Sequence, residues 1–233
     1  MLDPHDIPVV AIIDPDMMSS MPKGLTASTG MDALTHAIEG YITAGAWELP
    51  ICSTSNPLKS LPRSLRAAVE NTPEGRADMA LGQYVAGMGF SNVGLGIVHS
   101  MAHKTGAAFS TGHITHGCAN AMYLPYVIRY NAKDATAAKR YAEIARRMGL
   151  GGTSEQALIN SLCEKIDEFN AKFDIPATLK EFGIKEDEFK EKIAKISELA
   201  VGDACTGSNP RAIDPATMEK LFTCIYYGTE VDF

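Results

Sequence analysis

The sequence of 233 residues contains 45% hydrophobic residues and has a mean hydropathy of −0.04, as expected of a globular protein that can bury a core. Its net charge of −7, with no long basic run, argues against nucleic acid or an anionic membrane as a partner. No apolar run approaches the roughly 20 residues of a membrane helix, and no secretion signal precedes the first turn. The five cysteines lack C-x-x-C spacing, which favours reduced thiols in a cytoplasmic protein.

The chain begins with a short apolar segment and continues as a series of helices. Residues 8–14 ("PVVAIID") are predicted to form a strand. The next segment, "MPKGLTASTG", is predicted to be a loop in which Ser28 or Thr29 caps the first helix. Beyond it, apolar residues recur at three and four positions, which predicts amphipathic helices. The first helices predicted in this way cover 31–42, 63–71 and 76–96, and others continue to the C-terminus.

Residues 50–62 ("PICSTSNPLKSLP") differ from the helical sequence around them. They contain three prolines and no evident periodicity, and a proline inside a helix costs about 3 kcal/mol, so the segment is predicted to be an irregular loop. One permissible coding of these residues, read two bases further on, gives "DMFHLKSIEIIA", an amphipathic helix that would continue into "SLRAAVEN". This coincidence leads to the hypothesis that two compensating frameshifts replaced a helix here.

Acidic and histidine side chains recur at helical spacing in apolar surroundings. Asp32 and His36 are four residues apart, and so are His99 and His103, so each pair shares one helix face. "STGHITHGCAN" adds two further histidines. Imidazole nitrogen and carboxylate oxygen bind Fe(II), Zn(II), Co(II) and Ni(II), and two donors at i and i+4 can reach one ion. A single buried histidine is more often structural, but the set as a whole predicts a metal site.

Four segments resemble a known family: "GLTASTGMDALTHAIEGYI", "ALGQYVAGMGFSNVGLGIVHSMAHKTG", "HGCANAMYLPYVIRYNA" and "DACTGSNPR". They are similar to sequences of the iron-containing (group III) alcohol dehydrogenases, over essentially the whole chain except residues 50–62. The resemblance implies a mainly α fold, the helical bundle-like, dehydroquinate synthase-like C-terminal domain of that family, with one short N-terminal strand remnant. The implied organisation is a strand and linker from the nucleotide-binding domain at 1–24, followed by an all-helical metal and catalytic domain at 25–233.

The resemblance also assigns roles to individual residues. In the D-A-x-x-H motif, Asp32 and His36 correspond to metal ligands. In "HSMAH", His99 corresponds to a third ligand and His103 to the residue implicated in proton transfer. His116, the first residue of "HGCAN", corresponds to the fourth ligand.

Two features near this last ligand depart from the family pattern. His113 lies three residues earlier and is the weaker choice of ligand. Thr115 stands where many members have proline, and the loop "FSTGHITHG" is longer than in relatives, so the loop geometry differs while the ligand assignment stays.

The implied reaction interconverts a small alcohol and its aldehyde by hydride transfer with NAD(P), assisted by a divalent ion, Fe(II) in preference to Zn(II). The sequence contains no strand-turn-helix fingerprint for a dinucleotide, because "GLGGTS" and "GFSNVGLG" lie beside helices. The chain is therefore expected to be the metal-binding half of the enzyme, inactive alone, and a homo-oligomer like its relatives. Met1 would then mark a truncated gene, an internal start or a fragment.

Two other readings remain open at this point. A metal-binding helical module or interaction protein without catalysis would need the ligands but not His103. A zinc hydrolase would need a carboxylate base, and Glu39, three residues after His36, is the available candidate.

Overall fold

The computed structural model describes residue 5 and residues 8–233, without the side chain of Leu49, and its regular structure is helical. The prediction of a mainly α fold is thus confirmed. Short 3-10 helices occupy Pro15–Met18 and Ala204–Ser208. The α-helices of the described residues are α1 (Lys23–Ile42), α2 (Glu48–Val69), α3 (Pro73–Val93), α4 (Ile97–Thr105), α5 (His116–Asn131), α6 (Ala135–Arg147), α7 (Glu155–Lys172), α8 (Leu179–Phe182), α9 (Glu186–Val201) and α10 (Pro215–Tyr227).

Helices α1 and α5 form the centre of the bundle. Both are buried on nearly every face, and α1 packs against α2, α3 and α5. Helix α5 also contacts α4, α7 and α10. A helix that is apolar all round is stable only inside a protein, so their composition explains their central position. The outer helices α3, α6, α7 and α10 begin at side-chain N-caps, Thr72, Asp134, Ser154 and Asp214.

The predicted strand at 8–14 is not formed. These residues have no regular secondary structure and are exposed, with Val9 fully exposed and Ile12 at 89%. A strand requires a neighbour for its N–H and C=O groups, and the described residues contain no other strand to pair with it. The strand prediction is therefore wrong for this chain. Residues 1–4, 6 and 7 of the predicted remnant at 1–24 lie outside the described residues.

The first helix also starts earlier than predicted. Helix α1 begins at Lys23, so Ser28 and Thr29 lie inside it and not at its N-cap. Both hydroxyls donate to the carbonyl oxygen of Leu25, at 3.1 and 2.8 Å. Bonding to a carbonyl in the preceding turn lets serine and threonine lie within a helix, so their preference for caps was misleading here.

The irregular loop predicted at 50–62 is also wrong, because this segment lies within the continuous helix α2. Helix α2 contains Pro57 and Pro62 in its interior. Five of its buried residues follow a spacing of four and three, at Thr54, Leu58, Leu61, Leu65 and Ala68. This face packs against α1 and α3.

Packing explains why α2 forms despite its prolines. Full burial of a leucine contributes about 1.5–3 kcal/mol, comparable to the roughly 3 kcal/mol that a proline costs within a helix. Thr54 adds a hydrogen bond from its hydroxyl to the carbonyl of Pro50, at 2.9 Å. The amphipathic pattern was present in the sequence, but its serines and prolines concealed it. The frameshift hypothesis concerns the coding DNA and stays a prediction.

No helix of the described part of the chain combines the length and apolarity needed to cross a bilayer.

Candidate metal centre

Three helices bring the predicted ligands together. Asp32 and His36 lie one turn apart on α1, His99 lies in the first turn of α4, and His116 is the first residue of α5. One nitrogen or oxygen from each of these four side chains lies within 4.8 Å of all the others. Oδ1 of Asp32 is 3.5 Å from Nε2 of His99 and 3.5 Å from Nε2 of His116.

The donor set fits a divalent ion. Donor atoms around a tetrahedral ion with bonds of about 2.1 Å lie about 3.4 Å apart, which matches the two separations from Asp32. Three imidazole nitrogens and one carboxylate oxygen suit iron or zinc equally. The His36 ring is held between Phe90 and His99, with centroid distances of 4.5 Å to each. This stacking fixes the ring before any ion binds.

Glycine allows α5 to approach α1 closely. A Cβ atom at Gly117 would overlap the carbonyl oxygen of Ser28. Gly117 follows His116 directly, so the same close contact places that histidine near Asp32 of α1.

The N-terminus of α4 is capped by other parts of the chain. Glu39 of α1 accepts hydrogen bonds from the N–H groups of Gly96 and Val98, at 3.0 and 2.9 Å. Asn209 accepts from the N–H of Ile97 at 3.3 Å. These groups are among the unpaired donors of a helix start, and a carboxylate there also interacts favourably with the helix dipole. The contacts fix α4 relative to α1, and so they fix the position of His99.

Electrostatics keep three of the four donors in the state that binds metal. Burial disfavours the charged form of Asp32, but the contact with His99 and the neighbouring imidazoles outweigh it and lower its pKa to about 2. Burial and the nearby His99 lower the pKa of His36 to about 4. Burial likewise lowers the pKa of His116. Near neutral pH the carboxylate is therefore ionised and these two imidazoles are neutral.

His99 differs because it lies between two carboxylates. Its burial disfavours the imidazolium, but contacts with Asp32 and Glu39 prevail and raise its pKa to about 9. Nδ1 of His99 is 2.5 Å from Oε2 of Glu39, and both side chains are almost fully buried. Glu39 thus orients His99 so that Nε2 faces Asp32, as carboxylates do behind histidine ligands of metals.

The position of Glu39 excludes the role of a hydrolytic base. Glu39 is only 1% exposed, and both of its carboxylate oxygens accept hydrogen bonds from N–H groups. The zinc hydrolase reading therefore loses its candidate base. Sequence reasoning missed the actual role of Glu39, although an acidic residue on the buried face of α1 was a signal that it has a buried partner.

His103 lies beside the four donors and is more exposed. Its ring stacks on His116 with a centroid distance of 5.3 Å, and its side chain is 38% exposed. Nδ1 of His103 is 3.2 Å from Oδ2 of Asp203, which Lys104 also contacts at 2.7 Å. Burial raises the pKa of Asp203, but hydrogen bonds from Lys104, from the backbone N–H of Cys205 and from His103 outweigh it and hold it at about 2.

The carboxylate of Asp203 determines which ring nitrogen of His103 can accept a proton. A hydrogen bond from Nδ1–H to Asp203 leaves the lone pair of the neutral ring at Nε2. Asp203 belongs to the "DACTGSNPR" segment, in which no individual residue was predicted to have a role.

His113 is exposed and lies outside the group of four, and its ring packs near Gly106. A cavity of about 250 Å³ adjoins the site. Asp32 and His36 form part of its wall, together with Met18, Met21 and Met79. A small organic molecule could therefore approach the donors through this cavity.

Three histidines and one aspartate gathered from three helices of a helical domain form a group that could hold a divalent ion. A family model described as "Fe-containing alcohol dehydrogenase family, C-terminal" matches residues 26–226. The chain belongs to this family.

Its relatives are alcohol and aldehyde oxidoreductases. The chain is 51% identical over 226 residues to an NADPH-dependent butanol dehydrogenase of Clostridium saccharobutylicum, covering 97% of this chain and 57% of that protein. It is 49% identical over 222 residues to the lactaldehyde reductase of Escherichia coli K12, covering 94% and 55%. The chain thus spans little more than half the length of these curated relatives.

Solved structures agree with this assignment. An iron-containing alcohol dehydrogenase from Thermococcus thioreducens superimposes with a TM-score of 0.89 at 32% identity, covering 97% of this chain and 57% of that one. A 1,3-propanediol oxidoreductase superimposes with a TM-score of 0.86 at 34% identity, covering 94% and 56%. The helical arrangement is therefore that of the C-terminal part of these enzymes.

Proposed function

We propose that this chain provides the metal-binding half of a metal-dependent alcohol dehydrogenase. Asp32, His36, His99 and His116 would hold one divalent ion, Fe(II) in preference to Zn(II). The observation that supports this most directly is the convergence of their four donor atoms within 4.8 Å of one another. When bound, the ion would polarise the oxygen of a small alcohol or aldehyde, and NAD(P) would exchange the hydride.

The residues of this chain would divide the remaining work. Glu39 orients His99 through its Nδ1, and the stacked ring of Phe90 holds His36 in place. His103 would accept the proton of the alcohol at Nε2 and pass it to solvent, to which its ring is open. Asp203 would fix the tautomer of His103 that this transfer requires. A metal-binding module without catalysis would have no use for this second histidine and its carboxylate.

The proposal also includes the cellular compartment, the class of substrate and the oligomeric state. All five cysteines are free, which supports a reducing, cytoplasmic environment. Relatives named for their alcohol or aldehyde substrates support a small-molecule substrate. We also propose that the functional form is a homo-oligomer.

Metal analysis followed by cofactor titration tests the proposal. The purified chain should bind one Zn²⁺ or Fe²⁺ ion, and His36→Ala or His99→Ala should abolish this binding, whereas His113→Ala should not. The chain alone should show neither tight NAD(P) binding nor alcohol-dependent NAD(P) reduction. Fusion to the N-terminal part of the butanol dehydrogenase relative should restore reduction, and His103→Ala should then lower kcat and leave the ion bound.

Two results would refute the proposal. One is a chain that folds but binds no divalent ion at these four residues. The other is a fusion that binds ion and cofactor yet reduces NAD(P) equally well with and without His103.

A further inference from the structure

Asn120 adds a fifth polar side chain to the group of four donors. It lies one turn after His116 on α5 and has no solvent exposure. Its amide nitrogen donates to Oδ1 of Asp32 at 2.5 Å and lies 3.2 Å from Nε2 of His99 and 3.1 Å from Nε2 of His116. The nitrogen end of the amide must face this cluster, because an amide oxygen in its place would repel the Asp32 carboxylate.

The other end of the same amide has no hydrogen-bond partner. Oδ1 of Asn120 is buried, and no donor of the described residues reaches it. A buried polar atom without a partner costs about 1–3 kcal/mol, and such atoms in native proteins require an explanation. The amide therefore directs its nitrogen at three donor atoms while its oxygen has no partner.

A divalent ion among these donors would reverse the preference of the amide. The ion would take the lone pairs of Asp32, His99 and His116, so the amide nitrogen would lose its acceptor. The positive charge would also repel the N–H end of the amide and attract its oxygen. Rotation of the side chain about its terminal bond exchanges the two ends, and this torsion is broad and roughly two-fold.

We propose that Asn120 holds the four donors together through its amide nitrogen when no ion is bound and presents its amide oxygen to a bound divalent ion. This inference rests on the proposed metal centre. The ion would then have oxygen donors from both Asp32 and Asn120, in addition to three imidazole nitrogens. Oxygen donors favour harder ions such as Mn²⁺, whereas imidazole favours Zn²⁺. Asn120 should therefore affect which ion is bound as well as how tightly.

The test compares Zn²⁺ and Mn²⁺ affinities of the purified chain by chelator competition. Asn120→Ala should weaken Zn²⁺ binding about 10-fold and Mn²⁺ binding by more, up to about 100-fold. Asn120→Asp offers only oxygen and should shift preference towards Mn²⁺, and it provides a second variant if the alanine variant fails to fold. Asn170→Ala is the matched control, because Asn170 of α7 also has a buried amide oxygen without a partner, but its nitrogen donates to the backbone carbonyl of Ala121 and not to a proposed metal ligand.

The outcomes separate this inference from the metal centre itself. Equal loss of both affinities in Asn120→Ala would indicate general loosening of the site and would overturn the role of the amide oxygen. Unchanged or tighter binding would overturn it as well, since the amide would then be neutral or a competitor of the ion. If the wild-type chain bound neither ion, the metal centre would fall and this inference with it.

Discussion

Substitution of Glu39 by Gln removes a charge and one acceptor from behind His99 of the proposed metal centre, with almost no change in shape. The carboxylate receives three N–H groups, from Gly96, Val98 and Nδ1 of His99. A glutamine offers one oxygen and one N–H₂ group, so at least one of these donors must face another donor. If the amide nitrogen takes the place of Oε2, it opposes both Gly96 and His99.

The magnitude follows from these contacts. Loss of a hydrogen bond to a charged group costs about 1.5–3 kcal/mol, and a buried donor without a partner costs about 1–3 kcal/mol. His99 can avoid the conflict by losing the proton on Nδ1 and keeping the one on Nε2, but Nε2 then cannot bind an ion. Substitution of carboxylates behind histidine ligands typically lowers metal affinity 10–100-fold. We expect Glu39→Gln to weaken Zn²⁺ binding within this range and to destabilise the metal-free chain by about 1–3 kcal/mol.

Chelator competition gives the affinity, and urea unfolding of the metal-free chain gives the stability. Glu181→Gln is the matched control, because Glu181 also accepts a backbone N–H, from Ala177 at 2.9 Å, but is exposed on α8. It should leave both quantities unchanged. A folded Glu39→Gln chain that binds Zn²⁺ as tightly as the wild type would show that Glu39 does not support His99, and the reasoning would be refuted.

Pro57→Ala and Pro62→Ala should each stabilise the chain, by up to about 3 kcal/mol, because each restores an N–H donor inside α2. Urea unfolding checks this, and we expect a higher midpoint with an unchanged m-value. Pro50→Ala is the control, because Pro50 lies in the first turn of α2. Neutral or destabilising effects of Pro57→Ala and Pro62→Ala would indicate that this segment is a loop. Zn²⁺ binding at pH 7 should release about one proton, because a pKa of about 9 leaves His99 protonated in the metal-free chain. Affinity should therefore rise as the pH increases towards 9 and level off above it. Calorimetry in buffers of different ionisation enthalpy measures the proton release, and affinity that does not change over this interval would contradict it.

The helices that carry the proposed ligands could be predicted because their sequences are regular. Asp32 and His36 share a face through their spacing of four, within apolar sequence that has few other partners for them. The packing of α1, α4 and α5 against one another could not be predicted in this way. It depends on crossings such as the one at Gly117, and nothing in a single sequence states which helix a glycine faces. The residue pattern predicted one metal site for the whole set, but only the family resemblance selected Asp32, His36, His99 and His116 from it.

The failures have a common physical origin. The strand at 8–14 and the loop at 50–62 were predicted from local composition, whereas both outcomes depend on partners elsewhere in the chain. Residues 8–14 have no neighbouring strand, and α2 forms because its leucines pack against α1 and α3. Tertiary packing routinely overrides local propensity. Glu39 and Asn120 were missed for the same reason, since a buried polar residue can be understood only with its partners.

The proposed division of labour has a thermodynamic consequence for this chain. The four donors come from three helices, so an ion bound there would link α1, α4 and α5 through side chains distant in sequence. A ligand that binds only the folded state adds RT ln(1 + [L]/Kd) to stability, about 2.7 kcal/mol at 100 times Kd. Glu39, Phe90 and Asn120 already hold these donors without the ion. We therefore expect the proposed metal centre to form on this chain without a bound nucleotide, whereas the proposed hydride transfer needs both.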